Sequence, residues 1–156
     1  MRLSPVSRNQ AVTYLGWRLA RVAGACMPHR TPPLILIAAD DQAVCEALQF
    51  ALRLEGLSVR THRDADGLLA DAGLPDAACI ILDDRKPHLD GFDLIARLRA
   101  RAPPVPVILL TGHATKRVRS RAANAGVQIV LEKPLLDNVL VSSIRTLLGN
   151  DWGMPH

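Results

Sequence analysis

Much of what this 156-residue chain could do is excluded by what it does not contain. No apolar run reaches the roughly 18 to 20 residues that a membrane-spanning helix needs. Its three cysteines, Cys26, Cys45 and Cys79, show no C-x-x-C spacing, so no paired redox or zinc motif is present, and an odd count fits a reducing, cytoplasmic setting. Cys45 and Cys79 are flanked by apolar residues and read as inert buried thiols. There is no serine–histidine dyad, no glycine-rich phosphate loop and no Cys/His metal cluster. Acids are missing from residues 1–33, which carry five arginines, while the rest of the chain holds 14 Lys+Arg against 15 Asp+Glu. The net charge of +4 therefore belongs to the N-terminal arm. That arm lacks the basic motif with interleaved aromatics, or the recognition helix, that a DNA-binding regulator would use.

What is present is the balance of a soluble globular protein, 49% hydrophobic and 22% charged, in a length that suits one domain with a real core. Residues 1–33 read as a basic, loosely ordered arm, or as upstream sequence with Met27 as an alternative start. The Pro32-Pro33 pair marks its end. Residues 34–149 form the expected domain, and 150–156 a C-terminal tail.

From Leu34 onward a regular alternation begins. "LILIA", "AACIIL" and "VPVILL" are short, wholly apolar runs, as expected of strands buried on both faces. "LSVR" and "VQIVL" add two more. Between them lie helical segments. "DQAVCEALQFALRLEG" has Val44, Ala47, Leu48 and Ala51 at i, i+3, i+4 and i+7, with Gly56 at the expected helix end. "DADGLLADAG" reads as a weak helix, "GFDLIARLRAR" as an amphipathic one, "TKRVRSRAANAG" as one with a narrow apolar side, and "LLDNVLVSSIRTLLG" as the last. Five β-α units imply an α/β fold, a doubly wound parallel sheet of five strands with five helices on its two faces. Such sheets place their chemistry beyond the C-terminal ends of the strands.

Those ends carry Asp40 and Asp41 after the first strand, Asp83 and Asp84 after the third, Thr111, Gly112 and His113 after the fourth, and Glu132, Lys133 and Pro134 after the fifth. Carboxylates gathered at one edge stay ionised by sharing a cation. An all-oxygen site with water suits Mg²⁺. A lysine and a threonine hydroxyl supply the charge and the donor that a phosphoryl group needs. The residues thus describe a place where Mg²⁺ and Lys133 gather a phosphoryl onto a carboxylate.

"AADD", "LDDRKPHLDG", "LLTGH" and "LEKP" together resemble the response-regulator receiver domain of two-component signalling, over about residues 34–149. The resemblance implies a flavodoxin-like sheet of order 2-1-3-4-5. It implies that Asp83, with Pro87 four residues on, is the phosphoacceptor. Asp40 and Asp41 would bind Mg²⁺ with Asp83 and the backbone carbonyl of Arg85. Thr111 would hydrogen-bond the phosphoryl, and Lys133 would pair with it or with Asp83. Arg85 and His113 occupy places that tune phosphoryl lifetime in this family. The implied partner is a histidine kinase or phosphotransfer protein, and the protein is a self-phosphorylating phosphoacceptor and weak autophosphatase, not a turnover enzyme. Receivers with "TGH" and "EKP" often precede a helix-turn-helix domain; none follows here, so a stand-alone regulator acting through protein contacts is expected.

Departures from the family pattern define the rival reading. Aligned without gaps, the usual acidic pair falls on Ala39 and Asp40, with Asp41 in a third place; a one-residue shift would restore a pair at Asp40 and Asp41. Lys86 stands where methionine is usual, and Val130 replaces the aromatic switch residue. Ala39 and Val130 favour a pseudo-receiver that binds or sequesters partners without phosphate. Asp84 reads as scaffold and Asp90 as a turn or helix cap. Lys116, Arg117, Arg119 and Arg121 read as a solvated face, or alternatively a surface for an acidic partner. The wide apolar arc of the last helix (Leu136, Val139, Leu140, Val141, Ile144, Leu147, Leu148) suggests a homodimer through the last helices.

Overall fold

The protein is described by a computed structural model, which covers residues 31–84, 90–101, 104–136 and 138–149. The chain divides into two compact units, Met1–Thr31 and Pro32–His156. Only the second is described beyond its boundary.

The strands are β1 (Leu34–Ala38), β2 (Ser58–His62), β3 (Cys79–Asp83), β4 (Val107–Thr111) and β5 (Ile129–Glu132). The helices are α1 (Gln42–Leu54), α2 (Ala65–Leu69), α3 (Gly91–Arg101), α4 (Lys116–Asn124) and α5 (Val139–Leu148), with a short 3-10 turn at Leu74–Asp76. All strand pairs are parallel, in the order β2-β1-β3-β4-β5. This is the expected five-stranded, doubly wound sheet with five helices. The two central strands β3 and β4 are buried at every residue, while edge strands β2 and β5 are only partly so, which is why the wholly apolar runs fall in the middle.

Strand alternation sorts the apolar side chains between two layers. Leu36, Ala38, Ile80, Leu82, Val107 and Leu109 join one cluster with Leu68 of α2, Leu94 and Leu98 of α3 and Ala122 of α4. The alternate residues Ile35, Ile37, Ile81, Ile108 and Leu110 are equally buried. On their side α1 and α5 supply Leu48, Leu52, Leu140 and Ile144, and an Arg145–Glu55 ion pair of 2.9 Å joins the two helices. Among the described residues no helix is long and apolar enough to cross a membrane.

Boundaries shift in an informative way. The strands carry on past the apolar runs, so that Asp83, Thr111 and Glu132 are the last residues of β3, β4 and β5 rather than loop residues. Their backbones are therefore fixed by the ladder. The weak helix stops at Leu69. The last helix starts only at Val139, because Asn138 takes a left-handed φ of 62° that a right-handed helix does not continue through. Of its broad apolar arc, Leu140 and Ile144 are buried, Val139, Val141, Leu147 and Leu148 are half-buried, and only Leu136, ahead of the helix, is strongly exposed at 77%.

Candidate functional site

Asp83 closes β3 opposite Leu110 of β4 and is fully buried. A charge at such depth needs a partner. Lys133, just beyond β5, supplies it: its Nζ lies 2.5 Å from Asp83 Oδ1. The lysine is held at the right height because its backbone N–H donates to the Thr111 carbonyl at 2.8 Å; the peptide bond that follows it, to Pro134, is cis. Asp83 Oδ2 is also buried and accepts no hydrogen bond among the described residues. One oxygen is thus paired and the other is not paired by any of them.

Thr111, almost fully buried, closes β4 beside Glu132. Its Oγ accepts the His113 N–H at 3.3 Å, which leaves the hydroxyl proton available for donation. His113 itself is exposed. The strand ends therefore bring Asp83, Thr111 and Lys133 to one edge, as the topology requires.

At the end of β1, Ala39 is fully buried and its N–H is bonded to the His62 carbonyl, so no carboxylate occupies that place. Asp40 follows, half-buried. Asp41 caps α1: its Oδ1 accepts the N–H groups of Ala43 at 2.9 Å and Val44 at 3.4 Å, a standard use of aspartate before a helix. Cys45, on the inner side of α1, senses the whole cluster. Burial pushes its thiol up; Arg63 opposes this, and the negative charges of Asp83, Asp41 and Asp40 reinforce it. Its Sγ donates to the Ala39 carbonyl at 3.2 Å. Among the described residues no three His, Cys, Asp or Glu side chains stand close enough to hold a metal by themselves. Mg²⁺ does not require three, since it keeps several waters and takes one or two carboxylates along with phosphate oxygens. Asp83 Oδ2 offers one such oxygen, and Asp40 follows the end of the adjacent strand β1. Arg85, Lys86 and Pro87 lie outside the described residues.

The second aspartate of the pair has a structural task. Asp84 Oδ1 accepts the Gly91 N–H at 3.0 Å. Asp90 caps α3 by accepting from Phe92 and Asp93 at 3.0 and 3.2 Å. Gly91, directly after Asp90, packs tightly: a Cβ there would stand 2.9 Å from Leu109 Cδ1, so that leucine would have to shift. Val130 packs half-buried against the core. One positioning residue was not singled out by sequence: Glu132, whose Oε2 accepts the Ala114 N–H at 2.8 Å and so ties the loop before α4 to the residue next to Lys133. Its place in "LEKP" was the available signal. Beyond that loop, Lys116, Arg117, Arg119 and Arg121 are all exposed on α4, with Arg121 stacked 4.1 Å over the Phe92 ring.

The response regulator receiver domain family matches residues 35–145. The chain is 38% identical to the transcriptional regulatory protein FixJ of Azorhizobium caulinodans, over 79% of this chain and 57% of that protein. It is 35% identical to the response regulator protein TmoT of Ectopseudomonas mendocina, over 74% of this chain and 52% of that one. The chain spans about half the length of these curated relatives. Among solved structures, FixJ-N superposes with a TM-score of 0.66 at 27% identity, covering 80% of this chain and 100% of that one. A response regulator receiver protein from Burkholderia phymatum gives 0.65 at 30% identity, covering 78% and 99%.

Proposed function

This chain belongs to the response regulator receiver domain family of two-component signalling, and on that premise we propose that it accepts a phosphoryl group on Asp83 and signals through protein contacts. The observation that carries this is the unequal state of the two Asp83 oxygens, one on Lys133 at 2.5 Å and one buried without a partner among the described residues. A buried carboxylate oxygen left unsatisfied costs about 1–3 kcal/mol or more, and a ligand at that edge would relieve the cost.

In this reading the donor is a phosphohistidine on a histidine kinase or phosphotransfer protein. An Asp83 oxygen attacks phosphorus, the P–N bond breaks as the O–P bond forms, and the electron pair leaves on the imidazole nitrogen. Lys133 keeps its charge beside the new acyl phosphate, and the Thr111 hydroxyl donates to a phosphoryl oxygen. Both groups are set in advance by the ladder, so they act by positioning and charge. Mg²⁺ would be held by Asp83 and Asp40, with the Arg85 carbonyl as a further ligand, and would neutralise charge shared between carboxylates and phosphoryl. The fully buried Ala39 leaves Asp40 as the acid directly after β1, and Asp41 contributes at the helix cap. In this reading His113 and Arg85 tune the lifetime of the phosphoryl. The protein acts stoichiometrically, as a phosphoacceptor with slow self-hydrolysis. It works in the cytoplasm.

The alternative, a pseudo-receiver that docks without phosphate, draws on Ala39 and Val130. Incubation with Mg²⁺ and acetyl phosphate or beryllofluoride separates the two. A mass gain or fluoride complex seen in the native chain and absent in Asp83→Asn is expected. Labelling that persists in Asp83→Asn, or none in the native chain together with no Mg²⁺ affinity, overturns the phosphoacceptor reading.

A further inference from the structure

Helix α1 has two apolar sides. Its inner side buries Cys45, Leu48 and Leu52. Its outer side should be polar, yet Phe50 and Leu54 are 67% and 70% exposed, two of only three large apolar side chains so exposed among the described residues. Ala43 and Ala47 are exposed one and two turns earlier on the same side. Positions 43, 47, 50 and 54 follow the 4-3-4 spacing of a helix-pairing seam. Glu46 and Arg53, both exposed, lie seven residues apart along one flank of that seam. Glu46 is met by the Gln42 side chain at 2.9 Å, and Arg53 makes one long contact of 3.5 Å to the Val59 carbonyl.

The geometry points to a second copy of this chain as the occupant of this face, paired α1 against α1 across a two-fold axis with the helices antiparallel. One register satisfies every position at once. It sets Phe50 on the partner's Ala47 and Leu54 on the partner's Ala43, so each layer matches a large side chain with a small one. In the same register Glu46 meets the partner's Arg53 and Arg53 meets the partner's Glu46. Because the axis is two-fold, each contact occurs twice. A parallel, in-register pairing would set large on large and small on small, and would leave Glu46 and Arg53 without an opposite charge across the seam. A partner of one charge sign would match only one of the two flank residues. With under two heptads of seam, the dimer is a weak, concentration-dependent one at the low end of interface size.

Analytical ultracentrifugation of the full chain over a concentration series tests this. Native protein is expected to self-associate. Phe50→Glu, Glu46→Arg and Arg53→Glu are each expected to remain monomeric, the last two because like charges then meet. An equimolar mixture of Glu46→Arg with Arg53→Glu is expected to associate again, since both flank pairs become complementary. All these side chains are exposed, and unchanged circular dichroism and acetyl phosphate labelling confirm that the variants fold. A native monomer throughout the series overturns the proposal. So does a dimer that survives Phe50→Glu, or a charge-swapped mixture that stays monomeric. A monomer whose phosphotransfer from a protein donor falls in Phe50→Glu would assign the face to that donor instead.

Discussion

Lys133 and Asp83 show how much of this site is decided by two side chains of unequal exposure. The lysine is 30% exposed and the aspartate 1%, so removing the lysine leaves a charge in the interior, while removing the aspartate leaves a cation that can turn to water. Lys133→Met is therefore expected to destabilise the fold by about 1–3 kcal/mol, and Asp83→Asn by clearly less, as read from urea midpoints at unchanged slope. Equal losses would mean that the pair contributes through packing rather than charge. The place of Asp83 at the end of a buried strand was legible in sequence from the apolar run before it. The capping role of Asp41 was not, because an aspartate before a helix and an aspartate facing a metal look alike in a string of letters.

Between elements, Asp71 is the clearest fastening. It is nearly buried and accepts from Arg60 at 2.6 Å, from His62 at 2.7 Å and from the Gly73 N–H at 2.7 Å, tying β2 to the turn that follows α2. Burial works against its ionisation, but the three donors outweigh burial and hold its carboxyl below the ordinary carboxylate range. A lowered folded value means stability that is present above about pH 4, the unfolded carboxylate value, and lost as pH falls through the folded one. Asp71→Asn should therefore lower stability at neutral pH and flatten its decline in acid, measured by denaturant titrations at several pH values. An unchanged acid slope would contradict this. Sequence periodicity found α1 and α3 well, since each has a full apolar face and a clear stop. It over-extended the last helix because nothing in "LLDNVL" announces that Asn138 takes a positive φ. It ended four strands early because it followed apolar letters, whereas the ladder carries on into polar residues such as His62, Asp83, Thr111 and Glu132.

The sheet as a whole is a core split into two layers by strand alternation, and its stability rests on the residues with no exposure at all. Ile81 is one of these, flanked by Ile37 and Ile108 on the neighbouring strands. Ile81→Ala is expected to cost about 2–5 kcal/mol in a single cooperative transition followed by circular dichroism. A loss well under 1 kcal/mol would show that the layers close over the gap. The same strand makes a choice that composition alone cannot make. Neighbouring residues of a strand point to opposite sides, so Asp83 and Asp84 cannot both face Lys133. One meets the lysine and the other fastens Gly91. Slide β3 by one step against β1 and β4, and the two carboxylates would exchange duties while every buried isoleucine and leucine turned the wrong way. The apolar side chains that hold β3 in step thus act as its address label: the oil-filled interior, with no charge of its own, decides which of two identical acids meets the lysine.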